Sequence, residues 1–274
     1  MDAADPNPQA EQMAHESMLR TLAAQADLIW PQERELLARH RLPADSRVLD
    51  VGCGSGEAAL RLAAEWESAR VLGLDVHAPH LELARERAAR FGERVRFELG
   101  DAFELELPDS SFELVLCRHV LQAIPRAERV VEELARVCAP GGVVHLLAED
   151  YGMMHFAPTR HDCDRFWHDG PVRFARSTGT DLLVGRRAPA LLRAAGLSDV
   201  RLDYVVVDTL RCPRARFADV WRAWRDGYAS AIAAHTDFEL EEVLARFDDM
   251  IGAIESEEGY GVWHVPVASG RKPA

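Results

Sequence analysis

A short apolar run, Arg47 to Val51, leads directly into Gly52-Cys53-Gly54-Ser55-Gly56, and from Glu57 to Trp66 the composition turns helical. Three glycines in five positions let the backbone turn tightly from a strand into a helix, through conformations that other residues avoid. The same unit then recurs in looser form. Arg70 to Leu74 reads as a second strand ending at Asp75, Pro79 to Arg90 as a crossover helix, and Val95 to Leu99 as a third strand closed by Gly100-Asp101. Phe112 to Cys117 reads as a fourth strand, and Arg126 to Cys138 as a helix with Val130, Leu134, Val137 and Cys138 on one face. Pro140-Gly141-Gly142 stops that helix, and Val143 to Ala148 is a near-continuous apolar strand of the kind buried on both faces of a parallel sheet. Strands alternating with helices over a hundred residues predict right-handed βαβ crossovers and a doubly wound α/β sheet.

Around this core the pattern is less regular. Residues 1 to 10 carry two prolines and small polar residues and are expected to be disordered, and two helices are expected between Glu11 and His40, the second opened by Pro31. Ala188 to Ala195 reads as a helix closed by Gly196, and Val200 to Asp208 as a sixth strand. Phe217, Val220, Trp221, Trp224, Tyr228 and Ile232 fall at helical spacing, as do Leu240, Val243, Leu244, Phe247, Ile251 and Ile254, predicting two amphipathic helices. Tyr260 to Val267 reads as a last strand, with Pro266 suited to an edge or a strand end.

The 32 Lys and Arg against 45 Asp and Glu leave a net charge of -13, the wrong sign for a surface that must pair with many phosphates, so nucleic acid is not an expected partner. No segment approaches the length of apolar chain needed to span a bilayer, and the start has no basic region followed by an apolar one, so no membrane insertion and a cytoplasmic location are expected. Cys53, Cys117, Cys138, Cys163 and Cys212 are odd in number and scattered, which fits a reducing compartment rather than a disulfide framework.

In an open α/β sheet, ligands bind beyond the carboxyl ends of the strands. There, the run Val48-Leu49-Asp50-Val51-Gly52-Cys53-Gly54-Ser55-Gly56 resembles the first motif of the class I S-adenosylmethionine (SAM)-dependent methyltransferases. Asp75 after the second strand, Gly100-Asp101-Ala102 after the third, the fourth strand Phe112 to Leu116 and Pro140-Gly141-Gly142 before the fifth continue the likeness. The resemblance implies a Rossmann-like, mostly parallel sheet with an antiparallel last strand and helical cap insertions. It divides the chain into an N-terminal helical lid over 1–45, a SAM-binding core over 46–150, and a segment over 151–274 that completes the sheet and supplies an acceptor pocket and cap.

It also implies roles. The N–H groups at Gly52, Gly54 and Gly56 would receive the methionine carboxylate, and Asp50 would order the turn and hold the ammonium group. Asp75 would accept from the ribose hydroxyls, Asp101 from the adenine amino group, and Ala102 would offer its N–H to the ring. Arg118 would line the methionine moiety through its backbone. A dinucleotide-binding dehydrogenase shares the turn and the acid, but its G-x-G-x-x-G spacing needs a glycine at position 57, where this chain has Glu57. A catalytically silent SAM-binding regulator would keep every one of these motifs.

Methyl transfer needs a positioned nucleophile and, for a hydroxyl, a proton acceptor. The candidates are His119 and Gln122 after the fourth strand and Glu149, Asp150 and Tyr151 after the fifth, with His119 foremost because imidazole ordinarily takes up a proton near neutral pH. The stretch His155 to Asp169 matches no common zinc pattern and reads as a loop facing the substrate; no metal is expected. The aromatic stripe from Phe217 to Tyr228 reads as buried packing. The whole pattern is similar to bacterial small-molecule methyltransferases of the ubiquinone/menaquinone-biosynthesis type, which implies a small-molecule methyl acceptor, its reacting atom open, and S-adenosylhomocysteine as product.

Overall fold

The computed structural model describes Pro8 and residues 16–274. The disordered start expected over residues 1 to 10 lies, Pro8 apart, outside the described residues, as does the expected helix start at Glu11. Strands β1 (Arg47–Val51), β2 (Arg70–Asp75), β3 (Val95–Leu99), β4 (Phe112–Arg118) and β5 (Cys138–Leu147) pair in parallel in the order β3-β2-β1-β4-β5. Helices α2 (Glu57–Glu65), α3 (Ala78–Ala88) and α4 (Ala127–Val137) connect them. Side chains alternate between the two faces, as a pleated strand requires. Val48, Leu114, Leu116 and Val143 pack with α2 and α3, while Leu49, Val115, Cys117, Val144 and Leu146 pack with α4. Burial of each such side chain is worth about 1.5–3 kcal/mol.

The second half adds β6 (Met154–Ala157), β7 (Ser198–Asp208) and β8 (Tyr260–Arg271), and β8 is antiparallel to all its partners. β7 runs along one side of β8, while β5 and β6 share the other side in tandem, pairing at Val267 to Arg271 and at Tyr260 to Trp263 respectively. β8 is therefore interior and runs on to Arg271, so Pro266 lies at neither the expected edge nor the expected strand end. A strand residue points its N–H and C=O to the same side. The Pro266 carbonyl accepts from the Ala148 N–H at 3.3 Å, just past the end of β5, so the missing N–H falls in the gap before β6 begins.

A second correction concerns the start of the chain. One helix, α1 (Glu16–Ala38), runs straight through Pro31 where two were expected. An internal proline costs about 3 kcal/mol. Here Pro31 and Asp27, four residues earlier, are both exposed, so the carbonyl deprived of its partner faces solvent. Buried Ile29 and Trp30 on one side of the proline and Leu36 and Leu37 on the other anchor both arms of the helix.

After β5 come β6, the short helices α5 (Cys163–Trp167) and α6 (Arg173–Ser177), and α7 (Ala188–Ala194). Helices α8 (Arg214–His235) and α9 (Leu240–Glu255) lie between β7 and β8 in the chain. They pack with α1 around Trp167, Trp221, Trp263, Phe217 and Phe247, all at most 2% exposed. Among the described residues no helix is long and apolar enough to cross a membrane.

Candidate functional site

A cavity of about 470 Å³ opens beyond the carboxyl ends of the parallel strands. Its floor is built from the residues that follow each strand: Gly52 and Gly54 after β1, Asp75 at the end of β2, Asp101 and Ala102 after β3, Arg118 and His119 at the end of β4, and Glu149 and Tyr151 after β5. Thr21, Leu22 and Gln25 of α1 close one side, and Trp167, Phe174, Trp224, Tyr228 and Phe247 roof the other end.

The glycine turn is shaped by steric necessity. Gly52 and Gly54 hold φ of 71° and 52°, in the left-handed region. A Cβ on Gly52 would be driven into Val120 Cγ2, and one on Gly54 would come within 2.9 Å of Leu22 Cδ1. Gly56, also at positive φ, does not line the cavity; a Cβ there would meet Phe97 at 2.7 Å, so its bareness serves the packing beneath the turn.

The expectation that the turn's N–H groups wait for an anion is corrected. Gly52 and Cys53 both donate to the Leu74 carbonyl at 2.7 and 3.0 Å, Gly54 donates to Asp75 Oδ2 at 2.8 Å, and Gly56 donates to the Cys53 carbonyl at 2.9 Å. The cation beside the turn is instead the side chain of Arg118, expected to act through its backbone. The Arg118 side chain, 9% exposed, donates to Glu33 of α1 at 2.6, 2.8 and 3.1 Å. Burial alone would raise the Glu33 carboxyl, but Arg118 and His145 outweigh it and hold it down at about 2.

Asp50 lies under the turn, in a small recess shared with Leu22, Gln25, Gly52, Arg118 and His119. It is 2% exposed and its Oδ2 has no partner among the described residues. Burial, only partly countered by Arg118, pushes its carboxyl up to about 7. Asp75 accepts from the Gly54 and His77 N–H groups, both at 2.8 Å, one on each oxygen; each oxygen keeps a second lone pair for a ligand hydroxyl. Asp101 is exposed at the cavity mouth, its Oδ1 accepting from the Phe103 N–H at 2.9 Å. An orphaned buried acceptor, a nearby guanidinium and an acid at the end of β2 match the ammonium, carboxylate and ribose of SAM, and a Cβ at Gly52 or Gly54 would push Val120 or Leu22, which line the same cavity.

At the β4 and β5 end of the cavity the structure brings His119, Glu149 and Tyr151 together and leaves Asp150 out. His119 sits at φ 56°, rare for a residue with a side chain, while its N–H donates to the Leu147 carbonyl at 2.8 Å. Its Nδ1 lies 2.7 Å from Glu149 Oε1, and its Nε2 is buried with no partner among the described residues. Glu149, 1% exposed, also accepts from Trp263 Nε1 of β8 at 3.1 Å. Asp150 is fully buried, gives both oxygens to Arg186 at 2.6 Å and does not line the cavity, so it fastens the chain after β5. Tyr151 stacks on Trp224 at 5.4 Å, and burial pushes its hydroxyl well above the ordinary range. Gln122 lines the cavity with its Oε1 unpartnered.

The stretch from His155 to Asp169, expected as a substrate-facing loop, is largely strand and helix. His155 is exposed beside Asp164 at 3.1 Å, His161 is bound to Asp249 at 3.0 Å, and of this stretch only Trp167 reaches the cavity. The aromatic stripe divides: Phe217 and Trp221 are core, as expected, whereas Trp224 and Tyr228 line the cavity. Glu33 and Trp263 were not anticipated at all. The available signal for Glu33 was an acid on the apolar face of α1, four residues after Ile29 and three before Leu36.

Residues 48–142 match the family model of a methyltransferase domain. The 27-O-demethylrifamycin SV methyltransferase of Amycolatopsis mediterranei is 41% identical over 103 residues, a match that spans 37% of this chain and 38% of that protein. The trans-aconitate 2-methyltransferase of Methylobacterium radiotolerans is 32% identical over 216 residues, spanning 78% of this chain and 75% of that one. In fold, the chain is similar to phosphoethanolamine N-methyltransferase 2 of Haemonchus contortus, solved in complex with phosphomonomethylethanolamine and S-adenosylhomocysteine. That likeness has a TM-score of 0.60 at 17% identity, covering 99% of this chain and 61% of that one. With its glycine turn, its acid at the end of β2 and its extended match to the trans-aconitate enzyme, the chain belongs to the class I SAM-dependent methyltransferases.

Proposed function

We propose that this chain methylates a small-molecule acceptor, with His119 taking the acceptor's proton and Glu149 holding the imidazole in the orientation to do so. The observation that carries this reading is the pairing of His119 Nδ1 with buried Glu149, which leaves Nε2 as the ring nitrogen without a partner among the described residues, on a residue that lines the same cavity as the glycine turn and Asp75. A carboxylate only accepts hydrogen bonds, so Nδ1 carries the hydrogen and the neutral ring keeps its lone pair on Nε2. Trp263 holds the second Glu149 oxygen and stops the carboxylate from swinging.

SAM, when bound, supplies an electrophilic methyl carbon on a sulfonium. Asp50 and Arg118 would hold its amino-acid end and Asp75 its ribose. The chain's own contribution is then to align the acceptor, exclude water through the aromatic roof, and receive a proton at Nε2. α1, α5, α6, α8 and α9 together serve as the cap over the cavity, and the relatives' names, which include an O-methyl position and a carboxylic acid, are consistent with a small metabolite as acceptor.

The test combines calorimetry with S-adenosylhomocysteine and single-turnover transfer of a labelled methyl group to a panel of small hydroxyl and amine compounds. His119→Ala should lower the transfer rate to hydroxyls by roughly a hundredfold, the usual scale of general-base loss, with cofactor affinity nearly unchanged. Full activity in that variant would eliminate the histidine base. Failure of the unaltered chain to bind S-adenosylhomocysteine would overturn the reading as a whole.

A further inference from the structure

The cavity is unequal in charge from end to end. Its three carboxylates are Asp75 and Asp101 toward the β2 and β3 side and Glu149 at the boundary with the roof. Among the described residues that line it, Arg118 is the one Arg or Lys; its Nε and Nη2 donate to Glu33, and what remains of its charge would serve the cofactor's carboxylate. Beyond His119 the walls are rings: Tyr151 stacks on Trp224 with 24° between planes, Trp167 meets Tyr151 edge-on at 5.3 Å, and Phe174 and Phe247 complete the enclosure.

Resting on the methyl-transfer reading above, we propose that the acceptor is an uncharged, ring-containing hydroxyl compound, and that the site rejects acceptors bearing a carboxylate or phosphate. An anion entering this end would lose its water, find no unpaired cation, and meet the Glu149 carboxylate in surroundings where charge is poorly screened. Among the described residues, the polar contacts of Glu149 are the imidazole of His119 and the indole N–H of Trp263, with no Arg or Lys beside it. Offset or edge-on rings recognise another flat apolar ring. The Nε2 lone pair of His119 needs a donor, which a neutral hydroxyl supplies without bringing charge with it. A permanent cation would gain from the aromatic faces but offers Nε2 no hydrogen. Trp167 adds a buried indole N–H with no partner among the described residues, a donor of the kind that a ring carbonyl or ether oxygen satisfies.

The experiment measures, by calorimetry on the full chain saturated with S-adenosylhomocysteine, the binding of 2-naphthol, 2-naphthoate, (2-naphthylmethyl)trimethylammonium and trans-aconitate. The first three share a ring and differ in charge. 2-Naphthol should bind at least about tenfold more tightly than either anion and more tightly than the ammonium compound, a ratio set by desolvation and repulsion. Glu149→Gln removes the repelling charge while keeping the shape and should narrow the gap between naphthol and naphthoate by about tenfold. Naphthoate binding within threefold of naphthol, tighter binding of the ammonium compound, or no naphthol binding at all would overturn the proposal. The ranking on the unaltered chain decides this even if the Gln variant does not fold. Cofactor binding is read first and separately, so loss of the methyl-transfer reading with the naphthol ranking intact is distinguishable from the converse.

Discussion

Glu33 is fully buried in the middle of α1, eighty-five residues before the arginine it holds, and replacing it by glutamine tests whether that one charge fastens α1 to the floor of the cavity. Its carboxyl is held at about 2 against an ordinary 4.5. At about 1.4 kcal/mol for each tenfold in proton affinity, this corresponds to about 3 kcal/mol of folding stability. Removing one member of a buried pair generally costs about 3–5 kcal/mol. Here the lower end applies, because Asp50, with an unpartnered oxygen, stands ready as a second counter-ion for Arg118. The sign follows from the depressed value. The contribution is present in full above the unfolded carboxyl range and is lost as pH falls from about 4.5 to about 2. Guanidinium unfolding followed by circular dichroism should therefore show Glu33→Gln less stable by about 3 kcal/mol at pH 7, with the gap closing as the medium is acidified. A difference under about 1 kcal/mol at neutral pH, or a gap that stays constant down to pH 2, would refute the reasoning.

Three further outcomes follow from the same geometry. Asp75→Ala should weaken S-adenosylhomocysteine binding at least about tenfold in calorimetry, because charge-assisted hydrogen bonds worth about 1.5–3 kcal/mol each are lost; an unchanged dissociation constant would mean that the ribose lies elsewhere. With Asp50 held near 7, a ligand ammonium should bind better as pH rises through that value and displace a proton, so the binding enthalpy measured in two buffers of different ionisation heat should report proton release, and Asp50→Asn should abolish it. Asp150→Ala should lower the unfolding midpoint, since Arg186 loses a bidentate partner, while leaving cofactor affinity intact; a selective loss of methyl transfer with unchanged stability would return Asp150 to the acceptor site.

The parts of this molecule that were legible in its residues are those whose information is local. The strand, turn and helix around Gly52 to Gly56, the acid at the end of β2 and the alternation through β5 each sit within one βαβ unit, so pattern and structure coincide. What escaped was held by contacts across the chain. Pro31 was read as a helix start because a proline is disfavoured inside one, yet tertiary burial of Ile29, Trp30, Leu36 and Leu37 overrides that local preference. Pro266 by itself suits an edge or a strand end because its missing N–H matters only relative to a neighbour, and the gap between β5 and β6 is invisible from β8 alone. Asp150 and Glu149 are adjacent acids with the same local pattern; their partners Arg186 and Trp263, thirty-six and one hundred and fourteen residues away, send one to the chain's framework and the other to the cavity.

The position of β8 bears on how the molecule comes into being. Every strand that pairs with it precedes it in the chain, and it carries Trp263, the residue that secures Glu149. On a ribosome, where the amino end emerges first, β1 to β4 can associate while β5, β6 and β7 still present open edges of the kind that invite pairing with other chains. The sheet from β1 to β4 can thus form early, whereas the second half, with the aromatic end of the cavity, is knit together only after Arg271 has left the exit tunnel. A nascent chain stalled before β8 would hold the glycine turn and Asp75 in place beside a chamber whose wall had not yet been laid.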